Sequence, residues 1–247
     1  MRERREAVGP NNKSTTLWQR IARLAESPRT RLTHTAIAKA AVAIADAGGL
    51  DKVTIRQLAA KLDVATMALY RYVTSKEDIL ELMADAVQAE LSPSKSCVNW
   101  RDVMREYAEQ IRASMKQHHW IVELSPRARS ALTPSRFAAL ERTLASLDCL
   151  NLDIDTMMLI VDTVAGYATG VTATEITRAQ FMKSEGWKTT RDLRAALSPN
   201  MTWLLSTGKY PTFERYIRKA SDKDRNDLRF QLGLECVLDG IAAHFQV

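Results

Sequence analysis

The chain has 247 residues, 46% of them hydrophobic, with nine Gly and seven Pro, about half the usual share of those two residues. That composition excludes turn-dense sandwiches, collagen-like repeats and wholesale disorder, and the length suits one large domain or two small ones. Three widely spaced cysteines (Cys97, Cys149, Cys236) argue against a disulfide framework or zinc module and for a reducing cytoplasm, and a formal net charge of +6 permits a nucleic-acid partner without demanding one.

Most of the excess charge lies in a leader. Residues 1–31 hold eight Lys or Arg against three Glu, whereas residues 32–90 hold six basic against eight acidic residues. The leader has no apolar stretch for a secretory signal, and its Glu residues count against a transit peptide. Trp18, Ile21 and Leu24 are spaced for a short helix beside Arg20, Arg23, Arg29 and Arg31. The extension reads either as a solubilising tail or as a basic arm tracking a minor groove, as homeodomain arms do.

Beyond it the periodicity is helical nearly everywhere. Thr33–Ala47 places Ile37, Ala40, Ala41 and Ile44 on one face and stops at Gly48-Gly49. Thr54 is an expected N-cap for Ile55–Leu62, whose Ile55, Leu58, Ala59 and Leu62 share a face. A break at Asp63-Val64 leads to a brief segment, Ala65–Tyr72. Ser75 then opens a longer helix with Glu77 and Asp78 in its first turn, where the macrodipole favours carboxylates.

Pro93 marks a boundary. After it come a helix over Trp100–Gln117, a short stretch around Trp120, Thr133–Leu147, a long run over Asp153–Met182 and a loop over Lys183–Arg191. Pro199, Gly208 and Pro211 are expected to break up the next region before a last helix over Asp224–Phe245. Met157–Thr174 is the one candidate membrane span, and its Thr, Ala, Gly and Asp162 make a buried core helix the better reading. The expected fold class is all-α, with a small N-terminal unit and a larger C-terminal one.

Three short helices with a tight second connection have the arithmetic of a helix-turn-helix. Leu69 and Val73 can hold its last helix to a core, which directs Thr66, Met67, Arg71 and Tyr72 outward. Arg suits phosphate or guanine, Tyr hydroxyls reach phosphate, Thr and Met suit base edges or thymine methyls, and Lys76 suits a backbone phosphate. A small helical bundle with exposed aromatics satisfies the same spacing.

The stretch from Thr54 to Lys76 carries more than spacing. Its Thr54, Arg56, Leu58-Ala59, Leu62, Val64, Leu69-Tyr70, Val73 and Lys76 resemble the DNA-binding domain of TetR-family transcriptional repressors, over about Leu32–Leu91. A weaker likeness to the tetracycline-repressor type of C-terminal domain extends beyond. The resemblance implies phosphate contacts from Thr54 and Lys76 and a base or phosphate contact from Arg56. It implies groove-facing Thr66 and Met67, with Tyr70, Arg71 and Tyr72 on the flanking backbone. The family usually has Gly where this chain has Asp63, at a turn that needs a positive φ, which Asp tolerates better than most residues.

The C-terminal residues carry no nucleophile elbow, phosphate-cradling Gly loop or metal-spaced ligand set, so no catalytic residue, cofactor or metal is expected. The adjacent His118 and His119 point about 100° apart on a helix and suit a turn better than one metal. Met104, Tyr107, Ile111, Trp120, Phe137, Met158, Asp162 and Tyr167 are the candidate lining of the ligand cavity that the resemblance implies. An inter-helix salt bridge is the alternative fate of Asp162. Gly166 and Gly170 on the long helix, with Leu234, Leu238, Ile241 and Phe245 on the last, form the candidate dimer interface.

The expected division is an extension over 1–31, a helix-turn-helix domain over 32–75, a connecting helix over 76–92 and a ligand-binding and dimerisation domain over 93–247. The expected partners are double-stranded operator DNA, a small-molecule effector and a second copy of the chain, with no membrane. A helical enzyme carrying an accessory DNA module, an interaction module whose helix-turn-helix no longer binds DNA, and an activator of the same family remain as alternatives.

Overall fold

A computed structural model of the chain describes residues 16–24, 32–91, 99–220 and 225–247. The basic residues expected to form an arm upstream of Thr16, together with Arg29 and Arg31, lie outside the described residues. No strand occurs among those described, and the architecture is all-α.

The N-terminal unit consists of α1 (Leu17–Leu24), α2 (His34–Gly48), α3 (Ile55–Leu62), α4 (Thr66–Leu69) and α5 (Lys76–Gln88). Helix starts follow side-chain chemistry. Thr33 Oγ1 accepts the Ala36 amide at 3.1 Å, Thr54 Oγ1 that of Gln57 at 3.2 Å and Ser75 Oγ that of Asp78 at 3.1 Å. Each such cap contributes about 1 kcal/mol. Helix α2 ends at Gly49 (φ +87°), and α3 ends at Asp63, whose φ of +53° puts it in the left-handed region. The turn is therefore kept with Asp in it, as its short polar side chain allows.

The C-terminal unit consists of α6 (Trp100–Gln117), α7 (Pro126–Arg129), α8 (Pro134–Ala145), α9 (Ile154–Ser184), α10 (Thr190–Ser206), α11 (Pro211–Lys219) and α12 (Asn226–Phe245), with a 3₁₀ segment over His119–Glu123. Helix α9, long and apolar enough to cross a membrane, packs instead between α6 and α12. It gives Met157, Ile160, Val161, Val164 and Ala168 to the core. Pro199 does not break the chain as expected: α10 runs through it. That stretch is exposed, so water can take the carbonyl that the missing N–H leaves free.

Two hydrophobic cores result. The first joins α2, α3, α4 and α5 and also takes in Leu17 from α1 and Trp120, Leu124 and Ala128 from the C-terminal unit. The second joins α6, α8, α9 and α12. Cys236 is a free, exposed thiol. Cys149, by contrast, is disulfide-bonded, against the expectation of reduced thiols: wide spacing in sequence does not by itself keep a cysteine from pairing.

Candidate functional site

The apolar spacing of α3 and α4 fixes which side chains face water. Leu58, Leu69 and Val73 are fully buried and Ala59 nearly so, in the core that α3 and α4 share with α2 and α5. Thr66, Met67, Tyr70 and Arg71 consequently project, with Met67 75% exposed and Tyr70 48% exposed. Thr54, Arg56 and Lys76 are exposed beside them. None of Arg56, Arg71 and Lys76 forms an ion pair among the described residues. The group offers cations, hydroxyls and a thioether on one rigid surface, the chemistry a DNA groove accepts.

Tyr72 departs from the expected outward set. It is half-buried, its ring meets the edge of His34 with centroids 5.2 Å apart, and its carbonyl accepts from His34 Nε2 at 3.2 Å. The reason is position: Tyr72 follows the end of α4, where the turning chain sends it back toward α2. Behind it, the buried Asp78 Oδ2 accepts from the Thr74 amide (2.8 Å), Thr74 Oγ1 (2.7 Å) and Arg20 Nη2 of α1 (2.7 Å). Helix α1 is thus locked onto the back of the reading head.

A cleft of about 620 Å³ opens in the C-terminal unit. Of the eight candidate lining residues, Tyr107, Ile111, Met158 and Asp162 border it, together with Gln88, Leu91, Ser114, Met115, Arg129 and Arg136. Burial raises the Tyr107 phenol above its ordinary range; the nearby Arg136 guanidinium opposes this and the Asp162 carboxylate adds to it. Asp162 forms no salt bridge among the described residues. The other four candidates sit elsewhere. Met104 is fully buried in the second core and Trp120 in the first, while Phe137 is 52% exposed on the outside of α8. Tyr167 donates to the Phe230 carbonyl at 2.7 Å and packs on Gly233, where a Cβ would stand 2.2 Å from its hydroxyl. Helical spacing marks an apolar face, not the neighbour that face meets.

The cleft is tied to the connecting helix α5. Ser125, which caps α7, bonds Glu77. Arg127 pairs with Glu81 at 3.4 Å, the Ser135 amide donates to Asp85 at 2.8 Å, and Arg142 donates to the Leu91 carbonyl at 2.8 Å. A second bridge reaches α2. The buried His118 places Nδ1 2.8 Å from Asp46 and Nε2 3.2 Å from Glu90, and Trp120 Nε1 donates to the same Asp46 oxygen at 2.8 Å. His118 is therefore a strut between two carboxylates, at the turn expected for it.

The candidate dimer residues divide in two. Leu234 and Leu238 are fully buried inside the protomer and Ile241 nearly so, with Phe245 half-buried beside them. The α12 stripe is spent on the chain's own core, which already buries it against α9 and α6. Gly166 and Gly170 are exposed, and a Cβ at either meets nothing within 4 Å. Leu159 and Thr163 on α9 are exposed too, as are Leu232, Cys236, Gly240 and Ala243 on α12.

Residues 37–83 match the family model described as bacterial regulatory proteins, tetR family, and residues 92–245 match the tetracyclin repressor-like C-terminal domain. The HTH-type transcriptional repressor DrrR1 of Streptomyces coeruleorubidus is 29% identical over 230 residues, covering 91% of this chain and 83% of that protein. An HTH-type transcriptional regulator of Saccharopolyspora erythraea is 30% identical over 58% of this chain and 61% of its own length. In fold the chain is similar to ActR of Streptomyces coelicolor, solved in complex with actinorhodin. The TM-score is 0.68 at 23% identity, over 87% of this chain and 98% of that one.

Proposed function

The chain belongs to the tetR family of bacterial transcription regulators, DNA-binding proteins rather than enzymes, and from that premise we propose that it is a homodimeric, cytoplasmic repressor released from its operator by a small molecule. The observation that carries the ligand response is the bonding of the cleft's own lip, α7 and α8, to α5 through Glu77, Glu81 and Asp85. Helix α5 also holds Asp78, the acceptor behind the recognition helix. A molecule wedged into the cleft moves a lip that cannot move without α5. The DrrR1 name supports repression, and the ActR complex supports a bound organic ligand.

Two copies meet, in this reading, through the open small-residue faces of α9 and α12. Thr54, Arg56, Thr66, Met67, Tyr70, Arg71 and Lys76 of each would enter successive major grooves about 34–36 Å apart. Gly170→Glu is expected to give a folded monomer by sedimentation, since a Cβ at this exposed position meets nothing within 4 Å of its own protomer. A dimer of undiminished stability would move the interface elsewhere.

Induction is tested with any compound whose binding to the full-length protein is abolished by the cleft-filling variant Ile111→Trp. Such a compound is expected to weaken operator binding of the unmodified protein about 5–150-fold, the usual range of allosteric coupling. Cleft ligands that leave operator affinity untouched would remove the induction step while leaving DNA recognition intact.

A further inference from the structure

We infer that the cleft selects an organic anion, an apolar ring-bearing body with one ionised acid group, and that Arg129 and Arg136 hold the acid. The inference rests on the cleft being the ligand site and adds the class of ligand it takes.

The contrast among arginines around the second core carries it. On α6, Arg105 pairs with Glu235 at 2.8 Å and Arg112 with Glu175 and Asp227, each at 2.9 Å. Arg101 pairs with Asp239 and Glu235. The cleft arginines are held differently. Arg129 Nη2 donates to the backbone carbonyls of Val122 (2.8 Å) and Leu124 (3.2 Å), and Arg136 Nη1 donates to the Arg129 carbonyl at 3.2 Å. Neither meets a carboxylate among the described residues.

Those carbonyl bonds orient the two guanidiniums without neutralising them. Each guanidinium carries five N–H donors, so most remain for a guest, and the planar fork matches a carboxylate or sulfonate through two parallel bonds. Apolar wall residues from three helices, Ile111, Met115, Leu140 and Met158, lie beside this lip. They suit a ring system, because thioethers contact aromatic edges favourably. A cleft of about 620 Å³ falls in the size range of pockets that take drug-sized guests.

Asp162, on α9, sets the polarity of the guest. Its carboxylate forms no ion pair among the described residues and it too lines the cleft. A second acid group there would be repelled, whereas a hydroxyl or amine would be accepted. The bound molecule would therefore lie with its acid toward α7 and α8 and a donor toward α9.

Two fluorescent probes that differ by one charge test this: 8-anilinonaphthalene-1-sulfonate and its uncharged parent, N-phenyl-1-naphthylamine. Each is titrated into the full-length protein, with Ile111→Trp defining the part of the signal that comes from the cleft. Arg136→Met is expected to weaken sulfonate binding by about tenfold, the loss of one charge-assisted hydrogen bond. The parent should change by less than about twofold, within the context scatter of one contact. Arg129→Met should show the same selectivity, and it serves as the second variant because Arg136 also bonds the Arg129 carbonyl. Asp162→Asn should not weaken the sulfonate. If the arginine variants shift both probes equally, or neither, the anion assignment is overturned while the cleft stands. If Ile111→Trp removes no binding of either probe, the cleft itself is overturned and the assignment with it.

Discussion

Alanine at both Tyr70 and Arg71 is expected to lower operator affinity by about 4 kcal/mol, roughly a thousandfold, with the melting temperature unchanged. Both side chains are exposed, and neither holds the protomer together. Removing them in a dimer deletes four groups, and a phosphate or base contact is worth on the order of 1 kcal/mol or more. Fluorescence anisotropy on a labelled operator duplex measures the loss, and a thermal melt of the same preparation checks the fold. Unchanged affinity would make this helix-turn-helix a structural unit that no longer reads DNA. Tyr72 is the wrong partner for this test, because its ring packs on His34 and its removal would disturb the head itself.

The second large effect concerns stability. Asp78→Ala is expected to destabilise the protein by about 2 kcal/mol, as measured by urea unfolding, because the Thr74 amide and hydroxyl and the partly exposed Arg20 guanidinium lose the buried acceptor they share. Burial pushes the Asp78 carboxyl upward, but the Thr74 amide and hydroxyl and the Arg20 guanidinium outweigh it and hold the group below its ordinary range. The ionised form is thus favoured in the folded state. Its contribution is complete above the unfolded carboxylate pKa of about 3.9 and is lost as pH falls through the lower folded value. Unfolding curves of the unmodified protein should therefore steepen in pH dependence below about pH 4 by more than those of Asp78→Ala. Hydrogen exchange should show the amides of α1 losing protection first in the variant, since Arg20 would lose its bond to Asp78. Equal protection in both proteins would assign the docking of α1 to contacts other than the Arg20–Asp78 pair, Leu17, Trp18 and Ile21 among them.

The reading head was the most legible part of the chain, and the reason is local. Thr54, Ser75 and Thr33 cap helices with their own side chains, and Leu58, Ala59 and Leu69 sort inside from outside by helical spacing alone. Asp63 marked the turn, because a left-handed residue at that step leaves few side chains to choose from. The cleft was half legible. Tyr107, Ile111, Met158 and Asp162 line it, yet Met104 and Trp120 share the same apolar character and serve the two cores instead. Telling them apart needs the packing partner of each face, which periodicity does not contain.

Arg129 and Arg136 were missed for a related reason. An arginine near a Pro-bounded turn has the appearance of ordinary solvated charge, and only the carbonyls of Val122, Leu124 and Arg129 turn it into a fixed donor. The stripe of α12 was misassigned because Leu234, Leu238 and Ile241 suit a protomer core as well as a partner. The glycines of α9 stay open instead, since a Cβ at Gly166 or Gly170 meets nothing within 4 Å of the protomer.

The homodimeric repressor reading is tested most directly by letting the full-length protein choose its own site. Duplexes of random sequence are selected on the purified protein, and the enriched pool is aligned and its stoichiometry measured by sedimentation of the complex. The expected result is an inverted repeat bound by an even number of chains, with half-site centres about 10 base pairs or a multiple of that apart. Enrichment should vanish with Tyr70→Ala/Arg71→Ala and fall with Gly170→Glu. An enriched site without two-fold symmetry, or enrichment that survives both variants, would contradict it.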